Sequence, residues 1–254
     1  MLILTYHSLD ESGSVISLPA DMFAKHMRFL KGNGYRAISL QRLCQSWEKQ
    51  EALPSRTVVL TFDDGYANLK KSALPVLQEC GFEATIFLVA GHVGGYNNWP
   101  SQPPFVPHLP LLSWGDLREL SRQGFEIGGH TLTHPVLAGI SKDALAREIE
   151  RSKEIIEQKI GSPVQTFSYP YGIVDHASYQ HVSSNYRAAC TTEMGEVSAT
   201  DDRYRLRRID TYYLRRAVLF RSLDSALGRS YLSVRDFGRR CGARLRRWNR
   251  LGLA

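Results

Sequence analysis

Two adjacent carboxylates, Asp63 and Asp64, follow the most β-branched run of the chain, Thr57-Val58-Val59-Leu60-Thr61-Phe62, and precede Gly65. Neighbouring side chains on a strand point to opposite faces, yet at a strand end both can reach one cavity. A glycine there lets the backbone turn away. Further on, Gly128-Gly129-His130-Thr131-Leu132-Thr133-His134 sets two imidazoles four residues apart. That spacing lets both meet one metal ion on a helix or a tight turn. One carboxylate and two imidazoles form a three-ligand set with open positions, of the kind used by non-structural zinc or iron(II) sites. The other carboxylate is then free to act as a general base on water. A third stretch, Phe167-Ser168-Tyr169-Pro170-Tyr171-Gly172, offers a rigid proline followed by a backbone N–H that could donate to an oxyanion, between aromatic rings suited to a sugar. Each piece alone has a plain alternative: an acidic turn, two loop histidines, a Pro-Gly turn. Together they share one placement, because each ends a short apolar run.

Those runs fix the expected architecture. Strands are expected at residues 2–6, 36–40, 57–62, 84–89, 125–128, 164–169 and 186–190, from short β-branched or apolar segments bounded by turn residues. Helices are expected from Phe23 to Gly34, from Asn68 to Cys80 with Gly81 as terminator, from Ser113 to Gly124 with Asp116 completing a capping box, and from Asp143 to Ile160 closed by Gly161. Strands alternating with helices imply a parallel sheet, with chemistry at the C-terminal strand ends. Residues 91–112, rich in Gly, Pro, Asn and His, form a long loop of the kind that often carries function.

The 254 residues suffice for one sizeable core. The whole chain carries +7 and residues 203–254 carry +12, with fifteen Arg, no Lys and three Asp, so residues 1–202 carry −5. An arginine-only end suggests an anionic neighbour. Leu223, Leu227, Val234, Phe237, Cys241, Leu245 and Trp248 recur there at roughly helical spacing, which reads as a basic amphipathic helix. No recognised nucleic-acid motif accompanies it. Cys44, Cys80, Cys190 and Cys241 form no CxxC pair and read as reduced, buried thiols. The start has neither the basic region nor the apolar length of a signal peptide, and no run of 18 apolar residues is present. The expected location is cytoplasmic, peripheral at the inner membrane face.

Thr61-Phe62-Asp63-Asp64-Gly65, His130-Thr131-Leu132-Thr133-His134 and Tyr169-Pro170-Tyr171-Gly172 resemble, in order and spacing, the first three motifs of carbohydrate esterase family 4, the polysaccharide deacetylases with a NodB homology domain. The resemblance covers roughly residues 1–215, leaving 216–254 as a basic helical extension. It implies an α/β fold, a distorted (β/α)7-type barrel with one divalent metal ion in its mouth. By resemblance Asp64, His130 and His134 hold the metal, Asp63 is the base, and the Tyr171 N–H faces the oxyanion. Tyr169, Pro170, Tyr171, Trp114, Arg208 and Asp210 are the implied substrate contacts, the last two standing where the fourth motif belongs.

Two departures are visible. Ser168 stands where the third motif usually has an arginine that orients the base, and no histidine follows His181 to serve as the late general acid. Leu4-Thr5-Tyr6-His7 is similar to an early Tyr-His motif of enzymes that deacetylate poly-β-1,6-N-acetylglucosamine, whose barrels look circularly permuted. His7 then becomes the acid, where it would otherwise be a satisfied core histidine. The resemblance thus implies hydrolysis of N-acetyl groups on an N-acetylglucosamine exopolysaccharide or its biosynthetic intermediate. Chitin oligomers or peptidoglycan are the alternative substrates, and a catalytically inactive glycan-binding barrel the alternative from another class. Zinc is the expected metal, with cobalt, nickel or iron(II) also suited to this ligand set. The arginine-rich end would meet anionic lipid or the exopolysaccharide-synthesis machinery.

Overall fold

In the computed structural model, which describes residues 1–223, 225, 228, 230–236 and 238, eight strands form one sheet with every pairing parallel. The elements run β1 (Leu2–Tyr6), α1 (Ala20–Gly32), β2 (Arg36–Ile38), α2 (Leu40–Glu48), β3 (Thr57–Phe62), α3 (Leu69–Ser72), α4 (Leu74–Cys80), β4 (Thr85–Leu88), α5 (Trp114–Arg122), β5 (Glu126–Gly129), α6 (Lys142–Ala146), a π-turn (Arg147–Arg151), α7 (Ser152–Ile160), β6 (Thr166–Ser168), α8 (His176–Asn185), β7 (Ala188–Cys190), β8 (Ile209–Asp210) and α9 (Ala217–Arg221). The strand order is β7-β6-β5-β4-β3-β1-β8. β2 and β4 share one edge of β3, β2 along residues 57–59 and β4 along 61–62. The sheet curls until its ends meet: Leu206 N–H donates to Ala189 and Thr191 N–H donates to Leu206, so the stretch before β8 lies along β7. This is the distorted barrel that the motifs imply.

The strand period of two separates a shell from a lumen. Leu4, Tyr6, Leu60, Phe62, Ile86, Leu88, Ile127 and Phe167 face outward into the main core beneath the helices. Ile3, Val59, Phe87, Ala188, Cys190 and Leu206 face inward, where Leu40, Leu43 and Cys44 of α2 join them. Helix α2 therefore plugs the N-terminal mouth of the barrel. Its first amides reach into the lumen, Leu40 N–H to Thr85 Oγ1 at 2.8 Å and Gln41 N–H to Glu126 Oε2 at 2.8 Å. The strand expected over 36–40 ends at Ile38, because Ser39 caps α2 by accepting from Arg42 N–H; neither α2 beyond Leu40 nor α8, which Asp175 caps by accepting from Ser178 N–H, is expected from the sequence.

Glu126 also accepts from the hydroxyls of Thr85, at 2.6 Å, and Thr166. Burial pushes its carboxyl above the ordinary value, against those hydrogen bonds. A carboxyl raised on folding contributes stability that is present below its unfolded pKa of about 4.3 and lost as pH rises through the folded value. Glu126→Gln, which mimics the protonated acid, should be free of that loss. Its stability relative to the native protein should climb between pH 4 and 8 in urea unfolding, and a pH-independent difference would refute this account.

Some elements depart from expectation. The helix expected over 68–80 is two, α3 and α4, because Pro75 lacks an N–H and crowds the preceding turn. The helix expected over 143–160 contains the π-turn. Ser113 and Asp116 form the anticipated capping box, and Gly81 and Gly161 end their helices at φ 68° and 81°. Cys44, Cys80 and Cys190 are buried and free, while Cys241 lies outside the described residues. So do Leu227, Phe237, Leu245 and Trp248 of the expected terminal helix. Within the described part, Val234 does not join an apolar stripe: it is 69% exposed, while Leu232 and Asp236 are the buried positions of that turn. Among the described residues no helix is long and apolar enough to cross a membrane.

Candidate active site

The parity that builds the lumen also gathers the chemistry. Continuing the inward positions of β1, β3 and β5 past their C-terminal ends gives His7, Asp63 and His130, and Ser168 is the last inward position of β6. Register does the rest. Tyr6 pairs with Phe62, and Asp63 N–H donates to Tyr6 at 3.0 Å, so His7 emerges beside Asp63 with Nε2 3.9 Å from its Oδ2. Asp64 has the outward parity but sits at φ 70°, which swings its carboxylate back over the mouth. The turn that follows needs Gly65, where φ is 76° and an added Cβ would lie 2.8 Å from Leu88.

Asp64 Oδ1 lies 3.5 Å from Nε2 of both His130 and His134, and the two Nε2 atoms are 3.2 Å apart. His130 donates Nδ1–H to the Ser168 carbonyl at 2.6 Å, which leaves its Nε2 as a lone pair facing the cluster. Burial holds His134 neutral, and it pushes Asp64 upward despite the pull of His130. Asp64 Oδ1 is buried with no hydrogen-bond partner among the described residues. Three buried ligand-capable atoms thus converge while Asp64 Oδ1 is left unpaired, an arrangement that a divalent cation would satisfy. The donor set therefore fits a metal ion.

Asp63 has a different environment. Arg208 donates Nη1–H to its Oδ1 at 2.7 Å and Nη2–H to its Oδ2 at 2.8 Å. Arg208 also donates to Ser168 Oγ at 2.9 Å and, through Nε, to the Thr191 carbonyl at 3.0 Å. Burial alone would raise the Asp63 carboxyl, but the Arg208 guanidinium overrides it and holds the group well below the usual carboxylate range. Two adjacent carboxylates thus have two environments, one facing a cation site and one locked ionised by arginine.

Four of the five described non-glycine residues with positive φ lie here: Asp64, Thr131 (71°), His134 (60°) and Tyr171 (59°). Each costs on the order of 1 kcal/mol and persists only where its surroundings over-determine it. Thr131 Oγ1 accepts from His134 N–H at 2.9 Å. Glu148, on the π-turn, accepts from Leu132 N–H, Thr133 N–H and the Thr133 hydroxyl at 2.7–3.0 Å. Trp99 stacks on His134 with centroids 4.5 Å apart, and Tyr171 meets the same imidazole edge-on at 4.9 Å.

The expected substrate contacts divide. Tyr171 is half-buried beside His134, and Pro170 is buried. Tyr169 is fully buried against Phe167, and Arg208 is 2% exposed and spent on Asp63, so neither forms an open sugar-facing surface. Asp210 accepts from Tyr212 N–H at 3.0 Å and caps a 3₁₀ turn, Thr211–Leu214, and Trp114 opens α5 against the main core. Sequence reasoning did not single out Trp99, Ser101 or Glu148, although Trp99 and Ser101 belong to the long loop already flagged for function.

Comparison with known proteins agrees with this geometry. A sequence profile described as polysaccharide deacetylase matches residues 50–188. The Bacillus subtilis protein YxkH, which carries the same family name, is 28% identical over 82% of this chain and 70% of its own length. The poly-β-1,6-N-acetyl-D-glucosamine N-deacetylase of Staphylococcus aureus is 24% identical over 63% of this chain, and the match spans 55% of that protein. The Streptococcus pyogenes deacetylase PplD, solved with acetate, superposes with a TM-score of 0.72 over 83% of this chain and 91% of its own, at 24% identity, and shares the fold. With more than half of its length matched by the profile and its barrel shared with a solved deacetylase, the chain belongs to the polysaccharide deacetylases, a family of hydrolases that cleave amide C–N bonds.

Proposed function

We propose that this protein removes N-acetyl groups from N-acetylglucosamine residues of an exopolysaccharide or its biosynthetic intermediate, using a divalent cation, zinc by preference, held by Asp64, His130 and His134. The observation that carries the reading is His7 beside Asp63, an acid supplied just past the first strand. The S. aureus relative, named for poly-β-1,6-N-acetylglucosamine, supports the substrate class. A cation in this site would supply Lewis acidity, polarising the acetyl carbonyl and making water a better acid. Asp63, kept ionised by Arg208, accepts the proton as water attacks the amide carbon. Tyr171 N–H donates to the developing oxyanion. His7 gives a proton to the amine nitrogen as the C–N bond breaks, leaving acetate and a free amine.

Residues 1–215 serve as the catalytic unit, and the arginines of 216–254 suit an anionic membrane surface, each near it contributing about 1 kcal/mol. The test is amine release from β-1,6-linked N-acetylglucosamine oligomers by chelated and metal-restored protein. Release only after restoration supports the reading, and metal binding without release refutes this substrate. His7→Gln should lower kcat by about 10²–10⁴-fold with the metal content unchanged. Loss of metal in that variant would place His7 among the ligands instead.

A further inference from the structure

The loop over residues 91–112 reaches the site through Ser101 and Trp99. Ser101 Oγ donates to the carbonyl of His134 at 2.6 Å. The Tyr171 hydroxyl donates back to Ser101, to its carbonyl at 2.9 Å and its Oγ at 3.0 Å. Two residues earlier in the loop, Trp99 covers the His134 ring. His134 and Tyr171 stand on different loops, after β5 and β6, and both hold left-handed backbone conformations that a non-glycine residue does not keep unaided. His134 Nδ1 is buried without a hydrogen-bond partner among the described residues, so no acceptor behind the ring orients it as the Ser168 carbonyl orients His130.

We propose that Ser101 is a positioning residue that ties the second metal-ligating histidine to the oxyanion-facing turn, fixing His134 Nε2 and Tyr171 N–H relative to each other. Three features make the tie specific. It uses the backbone of His134 and the side chain of Tyr171, so both loops are gripped at the residues that act. It spans 33 and 70 residues of sequence, so neither loop can supply it locally. It acts together with the ring stack, which substitutes for the missing Nδ1 acceptor and sets the plane of the imidazole. The inference rests on the reading of Asp64, His130 and His134 as a metal site.

Full-length Ser101→Ala, Ser101→Thr and native protein can be compared by Co2+ titration, reading affinity by competition and the visible Co2+ band. Thermal unfolding of the chelated proteins controls for folding. Ser101→Ala should bind Co2+ about tenfold more weakly with a shifted band, Ser101→Thr should recover most of the affinity, and the chelated midpoints should agree within a few degrees. Affinity and band unchanged in Ser101→Ala, with native protein binding normally, would overturn the positioning role alone. A weakening matched by a lowered chelated midpoint and unrescued by threonine would also overturn it, in favour of a general structural role. Native protein that takes up no Co2+ would overturn the metal reading itself.

Discussion

Replacing Arg208 with methionine should lower kcat by about 10²–10⁴-fold and destabilise the chelated protein by about 3–5 kcal/mol. Both effects have one source. The guanidinium makes two parallel bonds to Asp63, a third to Ser168 Oγ and a fourth to the Thr191 carbonyl, all in the barrel lumen. Methionine fills the volume but leaves a buried carboxylate facing its own desolvation, and removing one partner of a buried pair is the costly change. Asp63, in the base role proposed for it, would then take up a proton or turn away from the water. Arg208→Lys separates charge from geometry, because a point charge cannot hold both carboxylate oxygens and the serine in one plane. It should recover much of the stability in urea unfolding and little of the amine release. Near-native turnover in Arg208→Met would remove Asp63 from the base role.

His130→Ala should abolish stoichiometric metal binding and lower turnover by at least about 10³-fold, since a metal electrophile is worth several kcal/mol of barrier. The stability signature should run opposite to that of Arg208→Met. In chelated protein, His130 Nε2 lies 3.5 Å from Asp64 and 3.2 Å from His134 in a cluster whose Asp64 Oδ1 stays unpaired, so its removal should change the midpoint far less than that of Arg208→Met. Added metal should stabilise the native protein, by about 2.7 kcal/mol at 100 times the dissociation constant, and leave the variant unmoved. Calorimetry with and without zinc distinguishes the cases. A variant that still gains stability from zinc would show that the cation binds elsewhere.

These two residues differ in how far the sequence reveals them. His130 lies in a motif whose four-residue spacing speaks of a shared metal, and its strand carries it inward by simple alternation. Arg208 stands in a run of arginines, and position alone suggests a substrate contact. Its partner is 145 residues away, and only the return of residues 203–208 along β7 aims its side chain into the lumen. That return also answers the missing arginine at 168: the serine there leaves room for a guanidinium arriving from another strand and accepts a bond from it. The β-branched run of β3 and the capping box of α5 were legible because local chemistry decides them. Helix α2, with polar residues on one side, is decided by the open barrel mouth it fills. Trp99 and Ser101 sit in an aperiodic loop and meet the site only through the distant His134 and Tyr171, so the sequence marks the loop but not the residues.

Strand β1 has a temporal consequence. It pairs on one side with β3, in register from Leu2↔Val58 to Tyr6↔Phe62, and on the other with β8, where Leu4 meets Ile209 and Thr211 donates to Thr5. During synthesis His7 is made before every other residue of the site, yet its strand lacks its second neighbour until about 200 further residues have followed, roughly 10–40 s at ordinary elongation rates. Over that interval β1 is an apolar edge awaiting a partner, and such long-range parallel pairing is slow to form. The site can be assembled only after β8 has been made. A nascent or truncated chain that ends before β8 therefore lacks the assembled site even though it carries Asp63, Asp64, His130 and His134, and it leaves β1 as an open apolar edge.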